Sequence, residues 1–451
     1  MVVKKLKSFK PRAILSLLDY GILINTLLLI VGSGFILFHF QDQFQEISAI
    51  RFNSTLGGLL FYFTMAILAF KLLFFIFLLV HFLRYKPMKS VMDDELPTIT
   101  LIVPAYNEGS FVFDTLKSIA ASNYPKDKIQ LIAIDDGSAD DTWDWMKKAK
   151  AELGDFLSIY QQPENKGKRH ALYRGFKLGA GEVFVTIDSD SLIYVNTLRN
   201  LVSPFVVDKK CGAVAGNVKI QNAKDAIIPK MLNVSFAFSF GFIRAAQGQM
   251  KSVLCTPGAL SAYRKAAVMD CLEEWIDQTF LGVKTDIGED RAMTNMILKQ
   301  GYNTLFQSNA HVATNIPETY GVLRKMFTRW ERSNVRENIM MSKFAFSDFR
   351  EDNKIKPRIL LVNQWLSVIS AYPSLIIMLL SLVFYPMLFL SSTIISIAIF
   401  SIIPAIYYAV KSSKRNSLWI FTYNIFYFFT LFWITPYAIL TASRRGWLTR
   451  G

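Results

Sequence analysis

Two long apolar runs open the chain. Ala13 to Phe40 is interrupted only by Asp19, and Gly57 to Leu83 only by Lys71. Each exceeds the roughly 20 residues that a membrane-spanning helix needs. The first is longer than a secretory leader and no small-residue cleavage site follows it, so it reads as a retained helix. Near the other end, Ile359 to Val410 carries no charged residue, room for two spans joined near Tyr385-Pro386. A last apolar run, Ser417 to Ser443, has basic residues on both flanks. It is expected to be re-entrant or interfacial and broken near Pro436, returning the C-terminus to the cytoplasm. A fifth full span with an external tail is the rival reading.

Between these runs the pattern changes. Thr98 to Val103, Gln130 to Ile134, Phe156 to Gln161 and Glu182 to Ile187 are short β-rich stretches. They alternate with helical stretches at Phe111 to Ala121, Thr142 to Leu153 and Ala171 to Leu178. Strand–helix alternation predicts a largely parallel, doubly wound α/β sheet. Ligands of such sheets bind beyond the carboxyl ends of the strands.

Charge adds direction. Lys4, Lys5, Lys7, Lys10 and Arg12 precede the first apolar run, and Arg84, Lys86 and Lys89 follow the second. Asp42 and Glu46 outnumber Arg51 between them, which places both ends of this hairpin in the cytoplasm. The formal charge of +15 therefore points to anionic lipid headgroups and a phosphorylated substrate rather than to nucleic acid. Cys211, Cys255 and Cys271 show no metal-type or disulfide-framework spacing and fit a reducing compartment. Lys71 lies near the middle of its run, so it should face a polar channel or a partner, Asp19 being the nearest acid in sequence.

The polar motifs fall at the strand ends. The first strand leads into Tyr106-Asn107-Glu108, the second into Asp135-Asp136, and the fourth into Asp188-Ser189-Asp190. Alternation along a strand would aim Asp188 and Asp190 the same way, which suits Mg²⁺ or Mn²⁺ bridging diphosphate oxygens. Taken alone, such acidic pairs also occur in solvated turns. Gly167-Lys168-Arg169 supplies cations before a helix, although a plain basic helix turn fits as well. Gly288-Glu289-Asp290-Arg291 opens another helix, where acidic residues also suit the dipole. Arg329-Trp330 lies in Leu323 to Met341, a segment with the pattern of an interfacial amphipathic helix.

In this order the motifs resemble the processive family-2 glycosyltransferases, whose signature runs D, DxD, (T/G)(E/D)D and QxxRW. The likeness covers nearly the whole chain and is nearest to class I hyaluronan synthases and nodulation chitin-oligosaccharide synthases. The stretches that carry it are Gly167-Lys168-Arg169, Asp188-Ser189-Asp190-Ser191, Cys255 to Arg264, Phe280-Leu281-Gly282, Gly288 to Asn295, Arg329 to Ser333 and Gly446 to Arg450. The resemblance implies a GT-A type, Rossmann-like domain joined to an α-helical transmembrane region in the plasma membrane. Its divisions would be a hairpin (1–90), a cytoplasmic transferase domain (91–320), interfacial helices (321–358), membrane and re-entrant helices (359–443) and a switch-loop tail (444–451).

The resemblance also implies roles. Tyr106, Glu108 and Asp136 would hold uridine; Lys168 and Arg169 the diphosphate; Asp188 the nucleotide and, with Asp190, the metal. Asp290, beside Glu289, would be the general base. Arg329 would neutralise the leaving diphosphate, Trp330 and Gly258 would meet the acceptor, and Trp447 and Arg450 would close over the donor. The implied partners are a UDP-sugar donor, a growing polysaccharide and membrane lipid. Independently, a departing diphosphate needs cations and a sugar hydroxyl needs a positioned carboxylate.

Two departures bear on the product: Met326 stands at the Gln position of QxxRW, and Glu289 stands where hyaluronan- and chitin-type synthases usually have Asp. In the tail motif Leu448 replaces a Gly. A single-transfer enzyme acting on a lipid-linked acceptor would share the Asp motifs. A transporter with a nucleotide-sensing domain would share the helices, but the chain has no Walker-type loop.

Overall fold

The computed structural model describes residues 15–444. Its centre is a sheet built from β1 (Ile99–Ala105), β2 (Ile129–Asp135), β3 (Leu157–Gln161), β4 (Val183–Ile187), β5 (Ser191–Ile193), β6 (Cys211–Ile220), β7 (Leu260–Arg264) and β10 (Asn303–Thr314). A hairpin of β8 (Thr279–Phe280) and β9 (Val283–Lys284) stands apart. The order across the sheet is β3-β2-β1-β4-β7-β6-β10-β5.

Strands β3, β2, β1 and β4 run parallel, as the alternation of apolar runs and helices predicts. Every residue of β1 is buried, the state of a strand covered on both faces. Leu101 and Val103 pack with Val112, Leu116 and Met146 on one side. Ile102 packs with Leu172, Phe176 and Trp275 on the other. The second half departs from a largely parallel sheet: β7 is antiparallel to both β4 and β6, and β5 to β10. The reason lies between β6 and β7. The chain leaves the sheet there through helices Ile227–Phe238 and Ala245–Gln249, which pack on the apolar helices, instead of returning by a βαβ crossover.

Among the described residues, four helices are long and apolar enough to cross a membrane: Leu17–His39, Gly57–Arg84, Ile355–Phe384 and Pro386–Lys411. A bent pair, Asn416–Leu431 with Ile434–Leu440, turns by 42° and would make a fifth if it counts as one span. The bend precedes Pro436, because Phe432-Trp433 already interrupts the helix. In three of the four long helices only 6% of the most apolar window is buried within the chain. Helices apolar all round and left uncovered by protein require an apolar solvent.

The two charges in the N-terminal runs do not meet. Asp19 caps its own helix with Ser16 and accepts from Lys230 Nζ at 2.8 Å. Lys71 Nζ donates instead to Asn363 Oδ1 at 2.8 Å and Ser367 Oγ at 3.2 Å, on Ile355–Ile369. Lys71 thus finds a polar partner, but not the acid nearest in sequence.

Candidate active site

The carboxyl ends of β1, β2 and β4 are bound together by side chains. Past β1 the chain turns sharply, with Asn107 and Gly109 at positive φ. Thr142 Oγ1 accepts from the Glu108 and Gly109 N–H groups at 2.7 and 2.9 Å. Ser189 Oγ donates to Glu108 Oε1 at 2.9 Å, tying the end of β1 to the turn after β4. Tyr106 lies in the same turn and is half-buried.

Asp136 is deeper than a donor-facing carboxylate needs to be. Its oxygens accept from the N–H groups of Lys166 and Gly167, at 3.1 and 2.8 Å, and from the Gln162 amide. Burial pushes its carboxyl up to about 6 against those hydrogen bonds. Its visible work is to fix the loop that delivers Lys168.

Lys168 is the hub of the site. A cation at the start of helix Lys168–Leu178 opposes the helix dipole, so it needs anionic neighbours. It has two: Nζ lies 2.5 Å from Asp188 Oδ1 and 3.1 Å from Glu289 Oε1. Gly258 allows this approach, since a Cβ there would stand 2.7 Å from Lys168 Nζ. Arg169 faces the other way. It is buried, donates to the Trp275 carbonyl at 2.8 Å and Gln278 Oε1 at 3.1 Å, and lies over the Trp275 ring. The structure therefore does not bring Arg169 to the Asp188–Lys168 cluster, because residues 168 and 169 point to different sides of one helix.

Glu289 and Asp290 open helix Glu289–Lys299 behind a left-handed Gly288. Burial raises both carboxyls, but their surroundings separate them. For Glu289 the Lys168 ammonium and the Arg329 guanidinium outweigh burial and hold it below the usual range. For Asp290 burial and the neighbouring Glu289 charge prevail and hold it above. Asp290 Oδ2 accepts from the Gly258 N–H at 3.1 Å, and Oδ1 from the Arg291 N–H at 2.7 Å. Two adjacent carboxylates with opposed tendencies are a pattern of acid–base sites.

Asp188 and Asp190 do not alternate along a strand as expected. Strand β4 ends at Ile187, and both lie in the turn into β5. They still share one locality: burial, then the Asp188 charge, pushes Asp190 up to about 6. Thr314 Oγ1, at the end of β10, donates to Asp190 Oδ1 at 3.3 Å. Among the described residues no three His, Cys, Asp or Glu side chains form a metal-binding group. Two repelling carboxylates therefore fit a divalent ion only if other oxygens complete its shell, which diphosphate and water can do.

Helix Tyr320–Ala345 packs between the helix that Asp290 opens and the apolar helix Ile434–Leu440. Trp330, 38% exposed, leans on Phe327 and Phe236 at ring distances of 5.5 and 6.2 Å. Met326 is buried with Ile220, Leu232 and Leu323. Sequence reasoning missed what holds this helix down. Arg291 donates to Asn334 and, at 2.6 Å, to Asn338; Asn295 donates to Glu337 Oε2 at 2.9 Å. A Cβ on Gly288 would collide with Ser333. The available signal was the polar stripe Asn334, Glu337, Asn338 at i, i+3, i+4, on a side that an amphipathic reading leaves to solvent. Trp447 and Arg450 lie outside the described residues.

An α/β sheet with an acidic and cationic cluster at its strand ends, roofed by a helix and joined to apolar helices, defines the class. The chain belongs to the glycosyltransferase like family 2, whose model matches residues 97–333. It is 32% identical over 269 residues to a hyaluronan synthase of Streptococcus pyogenes, covering 58% of this chain. That match spans 63% of the synthase, just under two thirds of its length. It is 28% identical over 358 residues to an N-acetylglucosaminyltransferase of Rhizobium meliloti, covering 79% of this chain and 82% of that one. In fold it resembles the mannosyltransferase PcManGT of Pyrobaculum calidifontis, solved with GDP-Man and Mn²⁺. The TM-score is 0.54 at 20% identity, over 84% of this chain and 98% of that one.

Proposed function

We propose that this chain is a membrane-integrated, inverting, processive glycosyltransferase that extends a polysaccharide from UDP-sugars and passes it through its own helices. The donor is UDP-N-acetylglucosamine, with UDP-glucuronic acid as a second donor in a hyaluronan-type product. One observation carries the reading: Lys168 keeps Glu289 ionised while burial leaves Asp290 a stronger base, beside a second acidic pair. The name of one relative, a hyaluronan synthase, supports the polymer class, and that of the other supports N-acetylglucosamine as the sugar.

In this reading Tyr106 and Glu108 border the uridine, and Asp136 shapes the loop beside it. Lys168 and Arg329 bring positive charge to the diphosphate. Asp188 and Asp190 would hold Mg²⁺ or Mn²⁺, which when bound supplies charge to the leaving diphosphate. Asp290, oriented by the Gly258 N–H, takes the proton of an acceptor hydroxyl as that oxygen attacks the anomeric carbon, and the sugar–phosphate bond breaks with inversion. Trp330 offers the acceptor ring an apolar face. The catalytic domain and tail are cytoplasmic, in the plasma membrane.

Met326 favours a second reading, because its buried thioether offers the acceptor no amide. A non-processive enzyme using a lipid-linked acceptor would fit that feature. The test supplies purified, lipid-reconstituted protein with single and paired UDP-sugars and sizes the products. Long polymer is the expected result; one-sugar products would favour the second reading, and no UDP release from any donor would refute both.

A further inference from the structure

Beside the base lies a cation that the roles above leave unused. The helix after Ile227–Phe238 passes through a π-helical turn, Ser239–Arg244, before Ala245–Gln249. A π turn inserts one residue into the helical register and so re-aims the side chains that follow. Its own aromatic residues are held by the apolar helices. Phe242 packs on Phe82 and Phe75 at 4.7 and 5.9 Å, and Gly241 lies against the Tyr407 hydroxyl, where no Cβ would fit. Arg244, the last residue of the turn, reaches instead to the loop that precedes β7.

The Arg244 guanidinium lies 4.3 Å from the Phe240 ring centroid and donates to the Cys255 carbonyl at 2.5 Å. It is half-buried and, among the described residues, forms no ion pair. Placing a guanidinium there without a carboxylate partner is unfavourable unless its charge and hydrogen bond serve nearby groups. The chain from Cys255 leads directly to the base. Cys255 Sγ is 3.8 Å from Asp290 Oδ2, and the Gly258 N–H donates to that same oxygen. Between them Thr256 is pinned to Thr294 by its N–H at 3.1 Å, on the helix that Asp290 opens.

We propose that Arg244 is a positioning residue for sugar transfer: it holds the Cys255–Gly258 loop, and thereby the Asp290 carboxylate, in register with the acceptor side of the site. This rests on Asp290 being the base. Phe240 stacks with Phe236, which leans on Trp330, so the same turn buttresses the acceptor platform. Arg244 thus links helices that would sit in the membrane to both the base and the platform. Among the described residues, the charged and titratable groups that act on Asp290 include Glu289, Lys168, Cys255, Tyr263 and Arg244, while the Arg291 guanidinium turns away to Asn334 and Asn338. Removing Arg244 takes one cation from that set.

The test compares Arg244→Gln and Arg244→Lys with wild type in lipid nanodiscs, measuring UDP affinity, kcat, and the pH profile of kcat/KM. Arg244→Gln should bind UDP normally, lose at least about tenfold in kcat, and shift the acidic limb upward by roughly 1 pH unit, the lower edge of what one opposite charge contributes. Arg244→Lys should restore the limb and part of kcat, and its UDP affinity reports folding independently. An unchanged limb in Arg244→Gln, or equal loss in both variants, would overturn the proposal. Asp290→Asn run in parallel separates the failures: if it transfers sugar at the wild-type rate, the base assignment is wrong, whatever Arg244 does.

Discussion

Replacing Asp290 by Asn perturbs the proposed chemistry with little change of shape. The amide oxygen can still accept the Gly258 N–H, now 3.1 Å from Oδ2. The amide nitrogen would face the Arg291 N–H, so one hydrogen bond to a charged group, about 1.5–3 kcal/mol, is lost. Against this, one buried negative charge beside Glu289 disappears, which relieves repulsion and leaves the Lys168–Glu289 pair intact. Folding and donor binding should therefore survive. Transfer should not. A general base contributes about a hundred- to ten-thousand-fold. The structure argues for the upper half of that range, because Glu289 is held ionised by Lys168 and is a poor substitute. The expected loss is roughly a thousandfold or more, about 4 kcal/mol at 1.36 kcal/mol per decade. UDP affinity by titration calorimetry and UDP release under turnover measure the two sides separately. An Asp290→Asn enzyme with more than half the wild-type rate refutes the assignment.

Asp190→Ala should abolish metal-stimulated UDP release, and wild-type turnover untouched by EDTA would remove the metal from the proposal. Because Asp290 must be ionised and its carboxyl is raised, kcat/KM should fall with decreasing pH at a value above the ordinary ~4 of a carboxylate, and a limb at or below that value contradicts it. Trp330→Ala should lower product yield per folded molecule while leaving UDP affinity unchanged; normal yield from a poorly expressed protein would make it an interface anchor only. Lys71→Leu strands Asn363 and Ser367 and should lower either polymer yield or the thermal midpoint in detergent, and a variant normal in both disproves a role for Lys71.

The parallel half of the sheet was legible because its strands are near-continuous apolar runs and its helices carry clear turns between them. The other half was not: β7 joins the sheet after an excursion whose residues, such as Phe236 to Phe242, resemble any apolar helix in sequence. The carboxylates at positions 188, 190, 289 and 290 were legible as motifs, while their separation into distinct tendencies was not. That separation depends on Lys168 Nζ reaching Glu289, 121 positions away, and on the Gly258 N–H reaching Asp290. Adjacent residues 168 and 169 show the same limit. Both are basic in the string, yet one joins the acidic cluster and the other is buried against Trp275.

Helix Tyr320–Ala345 explains why the reaction centre and the apolar helices belong to one machine. On one side Arg291 and Asn295 bind it to the helix that Asp290 opens. On the other, Arg332 Nε donates to Thr441 Oγ1 at 3.0 Å and Glu331 accepts from Thr435 at 3.1 Å, both on or just after the bent pair's second helix. Arg329 and Trp330 directly precede these attachments along the helix, next to Glu331 and Arg332. A shift of the bent pair must then move Trp330, or strain a buried network in which Glu337 and Asn338 are almost wholly enclosed. Broken buried networks of this kind are expensive, so the rigid response is favoured. If Trp330 is the acceptor platform and Asp290 the base, as proposed above, this helix would couple both to the apolar helices at once, which is what advancing a chain by one sugar without losing the register of the next attack would require.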